Sequence, residues 1–408
     1  MEGNTSKSTY LPETRVISGM RASGKLHLGH YFGALQNWVK LQKDHQCFYF
    51  VANWHGLTTH YQSPEVVEES CMDMLIDWLA AGVDPQKSVI FIQSQIPQHA
   101  ELHLLLSMIT PLSWLERTPS YKDQREQIKD KDLSTYGFLG YPLLQSADIL
   151  MYRSTWVPVG EDQAAHIEIT REIARRFNHI YGNDDKTKQR LDQLLKSMSG
   201  EEQKIFQAKR RSYLEQGDKS GYADAREILL NGNYDPEDLL ILLGYLDATG
   251  KVILPLPQAL IGEFAKMPGT DGRKMSKSYG NTILLRDSED EISKKIKVMP
   301  TDPARVRRND KGNPEKCPVW EWHKIYSDDD TRKWVDEGCR SAGIGCLDCK
   351  KRLSDRVCAE QKPFLQRATV YQDDKAQLIN VLEDGRAKAT EEAEQTLKQV
   401  RALMGVGI

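Results

Sequence analysis

Apolar and polar positions along the chain change period several times. RVISGM (15–20) is a short apolar run closing near a glycine and predicts a strand; HYFGALQNWVKLQK (30–43) then carries apolar residues at helical spacing. QCFYFVAN (46–53) predicts a second, buried strand and SVIFIQSQ (88–95) a third. Between them SPEVVEESCMDMLIDWLAAGV (63–83) predicts a helix capped by Ser63 with Pro64 at its first position. Strands alternating with helices imply an α/β fold, a parallel sheet with helices on both faces. Ligands of such sheets bind beyond the carboxyl ends of the strands, so chemistry is expected in the segments that follow them.

After Tyr181 the pattern changes. Residues 183–255 are rich in Lys, Glu, Gln and Asp with helical apolar spacing (LDQLLKSM, AREILL, PEDLLILLGYL), which predicts an inserted helical module. Helical patterns dominate again from about residue 286. The expected organisation is an α/β domain over 14–182, the module over 183–255, a return to the first domain over 256–285, and an all-α domain over 286–408.

At 408 residues the chain is too long for one compact core. No apolar run approaches the ~18 residues that span a bilayer. MEGNTSKSTYLPET lacks the basic start and apolar stretch of a secretory signal. A cytoplasmic protein without a membrane partner is expected, and its seven cysteines suit metal binding or catalysis better than disulfides. A net charge of −3 gives no general attraction to nucleic acid: DNA is not expected, and RNA would need a local basic patch.

Two loops carry candidate chemistry. In RASGKLHLGHYFG, Gly24 and Gly29 let the backbone approach a ligand closely, and His27 and His30 flank a helix start, where free N–H groups and the helix dipole favour an anion. Imidazoles there can donate to oxygens whose charge grows during phosphoryl transfer, although a tight turn with one capping histidine accounts for the spacing as well. In PGTDGRKMSKSYGN (268–281), three glycines predict a mobile loop with Lys274 and Lys277 as fixed charges and Ser276 and Ser278 as hydroxyl donors. Such a loop could close over a triphosphate; alone, it reads as an ordinary solvated basic loop.

Together, HLGH after the first strand and KMSKS on a late loop form the paired signature of class I aminoacyl-tRNA synthetases. SGMRASGKLHLGHYFGALQNWVKLQ, YPLLQSADIL, VPVGEDQAAHIEITREIARRFN and GTDGRKMSKSYGN resemble the bacterial tryptophanyl-tRNA synthetases over roughly 14–182 and 256–408. The resemblance implies a Rossmann-type catalytic domain that ligates L-tryptophan to tRNA(Trp) through tryptophanyl-adenylate, releasing pyrophosphate and AMP, with Mg2+ arriving on the ATP. It places Arg21, Ala22, Ser23, His27, Gly29, His30, Lys274, Met275, Ser276, Lys277 and Ser278 around ATP. Catalytic roles fall to His27, His30, Lys274, Lys277 and Ser278. Ala22 stands where many members carry proline. Gly160, Glu161 and Asp162 of VGEDQ would meet the ribose, and Gln163 the substrate's amino group. Asp148 would accept the indole N–H, a buried bond that discriminates strongly because a ligand without the donor leaves the carboxylate unpaired. Tyr141, Gln145, Val157, Val159 and His55 would line the indole pocket, with Gln145 where many bacterial members have methionine. A homodimer is implied.

Four cysteines remain, spaced Cys317-x21-Cys339-x6-Cys346-x2-Cys349. One close pair and two singles match a zinc site with two close pairs only weakly, and spacing alone does not separate zinc from iron. The resemblance implies a [4Fe-4S] cluster, which some members carry on nearly this pattern, with Zn2+ as the alternative. Cys47 and Cys71 sit in apolar contexts as core thiols, and Cys358 has no place in the pattern. Arg305, Arg307, Arg308 and Lys311, with Lys350, Lys351 and Arg352, form the best basic patch, expected to face tRNA. The rival readings are a tyrosyl-tRNA synthetase, a nucleotidylyltransferase, and a non-catalytic RNA-binding regulator derived from a synthetase.

Overall fold

The computed structural model describes residues 15–118, 133–160, 163–261 and 267–407. Its sheet has five strands: β1 (Arg15–Arg21), β2 (Gln46–Ala52), β3 (Ser88–Ile92), β4 (Trp156–Pro158) and β5 (Gln258–Leu260), in the order β3-β2-β1-β4-β5. The strands run parallel: Cys47 to Val51 of β2 pair with Ser88 to Ile92 of β3, Val16 of β1 with Trp156 of β4, and Trp156 to Pro158 with Gln258 to Leu260. β2 is buried from Cys47 to Ala52, as a strand covered on both faces must be, and its unbroken apolar run is the sequence trace of that burial. The expected parallel α/β architecture is present.

The chain divides into two compact units, the first of residues 15–18, 93–260 and 387–407, the second of 19–92 and 261–386. In the first, helix Tyr136–Met151 is capped by Thr135, whose Oγ1 accepts the Phe138 N–H at 3.3 Å, and packs against helices Gln98–Ser107 and Ala164–Tyr181. The polar stretch after Tyr181 folds into helices Asp185–Ser197, Gly200–Gln216, Lys219–Asn231 and Pro236–Leu246 around a separate cluster that includes Leu194, Phe206, Leu229, Leu242 and Leu246. Asp184, Ser199 and Asp218 cap the first three. Buried Asn178 fastens the chain leaving these helices, accepting from the Ile253 and Leu254 N–H groups at 3.0 and 2.9 Å.

In the second unit, helix Pro64–Ala81 starts where the sequence places it, but Ser63, at φ −140° and ψ 61°, makes no side-chain bond to the first turn; Pro64 does occupy that turn. The helix expected from residue 30 opens at Leu28 and passes through a π-helical turn at Tyr31–Leu35. Helices Pro318–Tyr326, Asp329–Arg340 and Cys346–Asp373 follow. No described helix is long and apolar enough to cross a membrane.

Candidate functional site

The two signature loops meet within the second unit. Beyond β1 the chain turns at Gly24, whose φ of +93° suits glycine, and the Gly24 N–H donates to Ser70 Oγ at 2.5 Å. Residues 26–28 then run beside 283–285: the Leu28 N–H donates to the Ile283 carbonyl and the Leu285 N–H to the Leu26 carbonyl, both at 3.0 Å. Buried Asn281 shapes the second loop. Its Oδ1 accepts the Ser276 N–H at 2.8 Å, and its Nδ2 donates to Asp271 at 2.7 Å and to the Lys274 carbonyl at 3.1 Å.

Contact between the loops is direct. The Gly29 N–H points at Met275 Sδ at 3.3 Å, and Lys277 Nζ donates to the Ser23 carbonyl at 2.8 Å. The rings of His27 and His30 lie 3.8 Å apart, and the His27 N–H donates to His30 Nδ1 at 3.2 Å. His30 Nδ1 is therefore an acceptor, which leaves the proton of a neutral ring on Nε2 as a donor. Burial, then the charge of Lys277, pushes His27 down to about 4; burial, His27 and Lys277 push His30 down to about 3. Both rings are neutral at pH 7, and His27 Nδ1 is buried without a hydrogen-bond partner. Arg21, Ser23, Lys274 and Lys277 are exposed and Ala22 is buried. The side chain of Ser278, and all of Glu161 and Asp162, lie outside the described residues.

Sequence reading missed the latch behind these loops. Asp77, on helix Pro64–Ala81, accepts the Leu26 N–H at 3.1 Å and Arg286 Nε at 2.7 Å, and Arg286 also reaches Asp73 at 2.6 Å. One carboxylate thus ties the first loop to the segment that follows the second. Burial outweighs Arg286 and raises the Asp77 carboxyl to about 6. A charged residue inside the apolar run MLIDWLAA was the available signal.

The first unit holds the expected specificity residue. Asp148 is 0% exposed on helix Tyr136–Met151, and its Oδ1 accepts from Gln93 Nε2 at 2.8 Å and His99 Nδ1 at 2.6 Å. With Nδ1 donating to the carboxylate, the His99 Nε2 at 2.7 Å from the Tyr152 hydroxyl completes a Tyr152–His99–Asp148 chain. Burial and the Asp148 charge hold the Tyr152 phenol well above its usual range, so it stays protonated. Gln93, His99 and Tyr152 were not foreseen. Tyr141 and Gln145 are joined by buried His166: its Nδ1 donates to Gln145 Oε1 at 2.8 Å, so its Nε2 accepts from the Tyr141 hydroxyl at 3.2 Å. Val157 is buried in β4; Val159, Gly160 and Gln163 follow it, the Gln163 N–H donating to the Gly160 carbonyl at 3.0 Å. His55 is buried on helix Asn53–His60 of the second unit, apart in the chain's division from the other residues expected around the indole.

The four cysteines line one cavity of about 350 Å³, counted to its open mouth, together with Val319, Trp320, Val335, Ile344, Arg305 and Lys350. Cys346 and Cys349 sit on the first turn of helix Cys346–Asp373, Cys317 directly before helix Pro318–Tyr326, and Cys339 near the end of Asp329–Arg340. Burial and the three neighbouring thiols push Cys349 up to about 12. Its Sγ lies 3.3 Å from Nε2 of buried His323. Among the described residues no group of three or more His, Cys, Asp or Glu side chains is arranged to hold a metal ion. Two expectations for the basic patch fail. Arg305 and Lys350 are 8% and 7% exposed and face the cavity, whereas Arg307, Arg308, Lys311, Lys351 and Arg352 are exposed. Cys47 and Cys71 are buried as expected.

Comparison with known proteins agrees with this arrangement. The family model described as tRNA synthetases class I (W and Y) matches residues 11–211 and 237–359. The chain is 56% identical to a tryptophan–tRNA ligase of Ralstonia nicotianae, over 96% of the chain and 98% of that protein. It is 43% identical to one of Thermotoga maritima, over 96% and 99%. Among solved structures, a tryptophanyl-tRNA synthetase from Campylobacter jejuni, complexed with ADP and tryptophan, superposes with a TM-score of 0.73 at 29% identity, covering 96% of this chain and 99% of that one.

Proposed function

Because the chain belongs to the class I tRNA synthetases for tryptophan and tyrosine, among the bacterial tryptophanyl-tRNA synthetases, we propose how its residues carry out tryptophan–tRNA ligation. The tryptophan carboxylate attacks the α-phosphorus of ATP, the bond to the bridging oxygen breaks, and pyrophosphate leaves. A hydroxyl of the tRNA's terminal ribose then displaces AMP from the adenylate. The protein's task in both steps is positioning and charge neutralisation.

The observation that carries this reading is the junction of the two loops, Lys277 Nζ on the Ser23 carbonyl and the Gly29 N–H on Met275 Sδ, inside one compact unit. Neutral His27 and His30 offer N–H donors to phosphate oxygens, while Lys274 and Lys277 supply the full charges that offset the departing pyrophosphate. Ser276 and Ser278 add donors, and Arg21, Ala22 and Ser23 form the approach. Mg2+ carried by ATP would add charge neutralisation at the phosphates. Asp77 and Arg286 are positioning residues that hold the loops in register. Gly160, Glu161 and Asp162 receive the ribose and Gln163 the amino group. Asp148 is the acceptor for the indole N–H, a role supported by its full burial and its fixed place on Gln93 and His99. Tyr141, Gln145, Val157 and Val159 form the pocket wall.

The cysteine cavity is read as the seat of a [4Fe-4S] cluster, with Zn2+ as the alternative; what supports a thiolate-held group is that all four cysteines line one cavity. Bound there by Cys317, Cys339, Cys346 and Cys349, such a group would cross-link three helices and could store an electron. The 286–408 helices are the part assigned to the anticodon, with 14–182 and 256–285 as the catalytic core and 183–255 as an accessory module. A cytoplasmic homodimer completes the proposal.

Amino-acid-dependent exchange of pyrophosphate into ATP tests it. Exchange with tryptophan and none with tyrosine is the expected result; exchange with tyrosine, or with no amino acid, would overturn the reading.

A further inference from the structure

We propose that Arg305 couples occupancy of the four-cysteine cavity to the loop 302–313, so that losing the group held there weakens tRNA binding. The inference rests on the reading of the cysteine cavity and of tRNA as a substrate. It starts from charge. Arg305 and Lys350 are buried cations on one cavity. Among the described residues neither forms an ion pair with a carboxylate; the nearest opposite charge to act on Arg305 is buried Asp302, held below its usual range first by the Asn313 and Ala304 N–H groups and then by Lys316 and Arg305. Lys350 Nζ donates only to the carbonyls of Lys297 and Met299, at 2.9 and 2.5 Å. Arg305 donates to the carbonyls of Ile344 and, at 3.2 Å, Arg308, and its Nη1 lies 3.7 Å from Cys339 Sγ; its Nε is buried without a partner. A buried cation that forms no ion pair is costly, and with Lys350 only on carbonyls and Arg305 Nη1 turned to Cys339 Sγ, the two favour an anion among the cysteines. Four thiolates around a core of charge 2+ sum to a net charge of −2, which opposes both cations and holds for iron–sulfur and zinc alike.

Arg305 differs from Lys350 in what else it holds. Lys350 grips the end of helix Glu289–Lys297, whereas Arg305 grips the basic loop from beneath. The loop's neck is closed by Asp302, which accepts from the Ala304 and Asn313 N–H groups at 3.0 and 2.7 Å. Its far end is pinned to a cluster cysteine: the Gly312 N–H donates to the Cys339 carbonyl at 3.0 Å, and a Cβ on Gly312 would stand 2.6 Å from Cys339 Sγ. From this frame Arg307, Arg308 and Lys311 face solvent, suited to phosphates. Val306 is 85% exposed and Leu347, on the turn whose Asp348 pairs with Arg308, is 62% exposed; both suit unstacked bases. With the anion gone, the Arg305 charge is driven toward water and the loop loses its anchor. By linkage, bound tRNA protects the group from loss by the same factor.

The test uses anaerobically purified full-length protein, its iron and zinc content, and binding of a tRNA(Trp) transcript at fixed salt. Chelator depletion should raise the tRNA Kd about tenfold, a common size for coupling between sites, speed amide exchange over 302–313, and leave tryptophan-dependent pyrophosphate exchange unchanged. Loaded Arg305→Met should bind tRNA as weakly as depleted wild type and lose nothing further on depletion. Arg305→Lys, which keeps the charge but not the fork, should retain metal and still bind weakly. Lys350→Met should lose metal to chelator ~10–100-fold faster, yet bind tRNA normally while loaded. Fully loaded Arg305→Met with wild-type affinity, or depletion without effect on Kd, overturns the coupling alone. Protein that holds neither metal overturns the cavity reading too, a result visible before any RNA is added.

Discussion

Asp148 and Lys277 are the two charges on which the proposed chemistry turns, and they are held in opposite ways. Asp148 is wholly buried, with Gln93 and His99 on one oxygen and Tyr152 behind the histidine. Lys277 is exposed on a glycine-flanked loop and makes one bond, to a backbone carbonyl. A group that must discriminate is fixed in one place, because an unpaired buried carboxylate is what penalises the wrong ligand. A charge that must follow a departing phosphate is held by a bond it can exchange for a better one. The first arrangement stores specificity in packing; the second keeps freedom of motion.

Substitutions break this contrast in a definite order. Lys277→Ala should lower kcat for pyrophosphate exchange by ~10²–10³, the size of losing one preorganised transition-state donor, with KM for tryptophan unchanged. Asp148→Asn should lower kcat/KM for tryptophan roughly 30-fold, from about 2 kcal/mol for a bond to a charged group, and lower Tm as well, since His99 and Gln93 lose their acceptor. Tyr152→Phe removes only the support behind His99 and should cost about fivefold in kcat/KM for tryptophan, from ~1 kcal/mol per neutral hydrogen bond. Arg286→Lys, which breaks the latch to Asp77 and Asp73, should raise KM for ATP by a similar factor and leave KM for tryptophan alone; steady-state kinetics in each substrate separates these outcomes.

The smallest effect is in pH. His27 and His30 sit at about 4 and 3 in the folded protein, against 6.5 unfolded. Between those values the unfolded chain binds more protons, so these rings subtract stability as pH falls below 6.5 and contribute nothing above it. Asp77 works in the opposite sense: raised to about 6, it gains stability as pH drops through 6. The Tm of His30→Gln, followed from pH 7 to pH 4, should therefore fall less steeply than that of wild type.

Much of the sheet and both loops were legible because their signals are local: apolar runs of strand length, glycines beside histidines, lysines three residues apart. The packing around Asp148 was not, because Gln93 and His99 lie 55 and 49 residues from it. The Asp77–Arg286 latch spans 209 residues. Arg305 and Lys350 were read as surface charges because sequence gives a side chain's charge and not what it faces. Their burial becomes intelligible only beside the cysteines, whose spacing was visible from the start. Ser63 shows the smaller version: the capping residue was in place, but its backbone angles left the hydroxyl without a partner.

The most direct test of the division between a fixed selector and a mobile charge is the double variant Asp148→Asn with Lys277→Ala, assayed for tryptophan-dependent pyrophosphate exchange beside both singles. Independent tasks predict a loss in kcat/KM equal to the product of the single losses, with the tryptophan KM of Asp148→Asn and the lowered kcat of Lys277→Ala both retained. A double variant no worse than Lys277→Ala alone would show that the two residues act on the same step, and the division would be wrong.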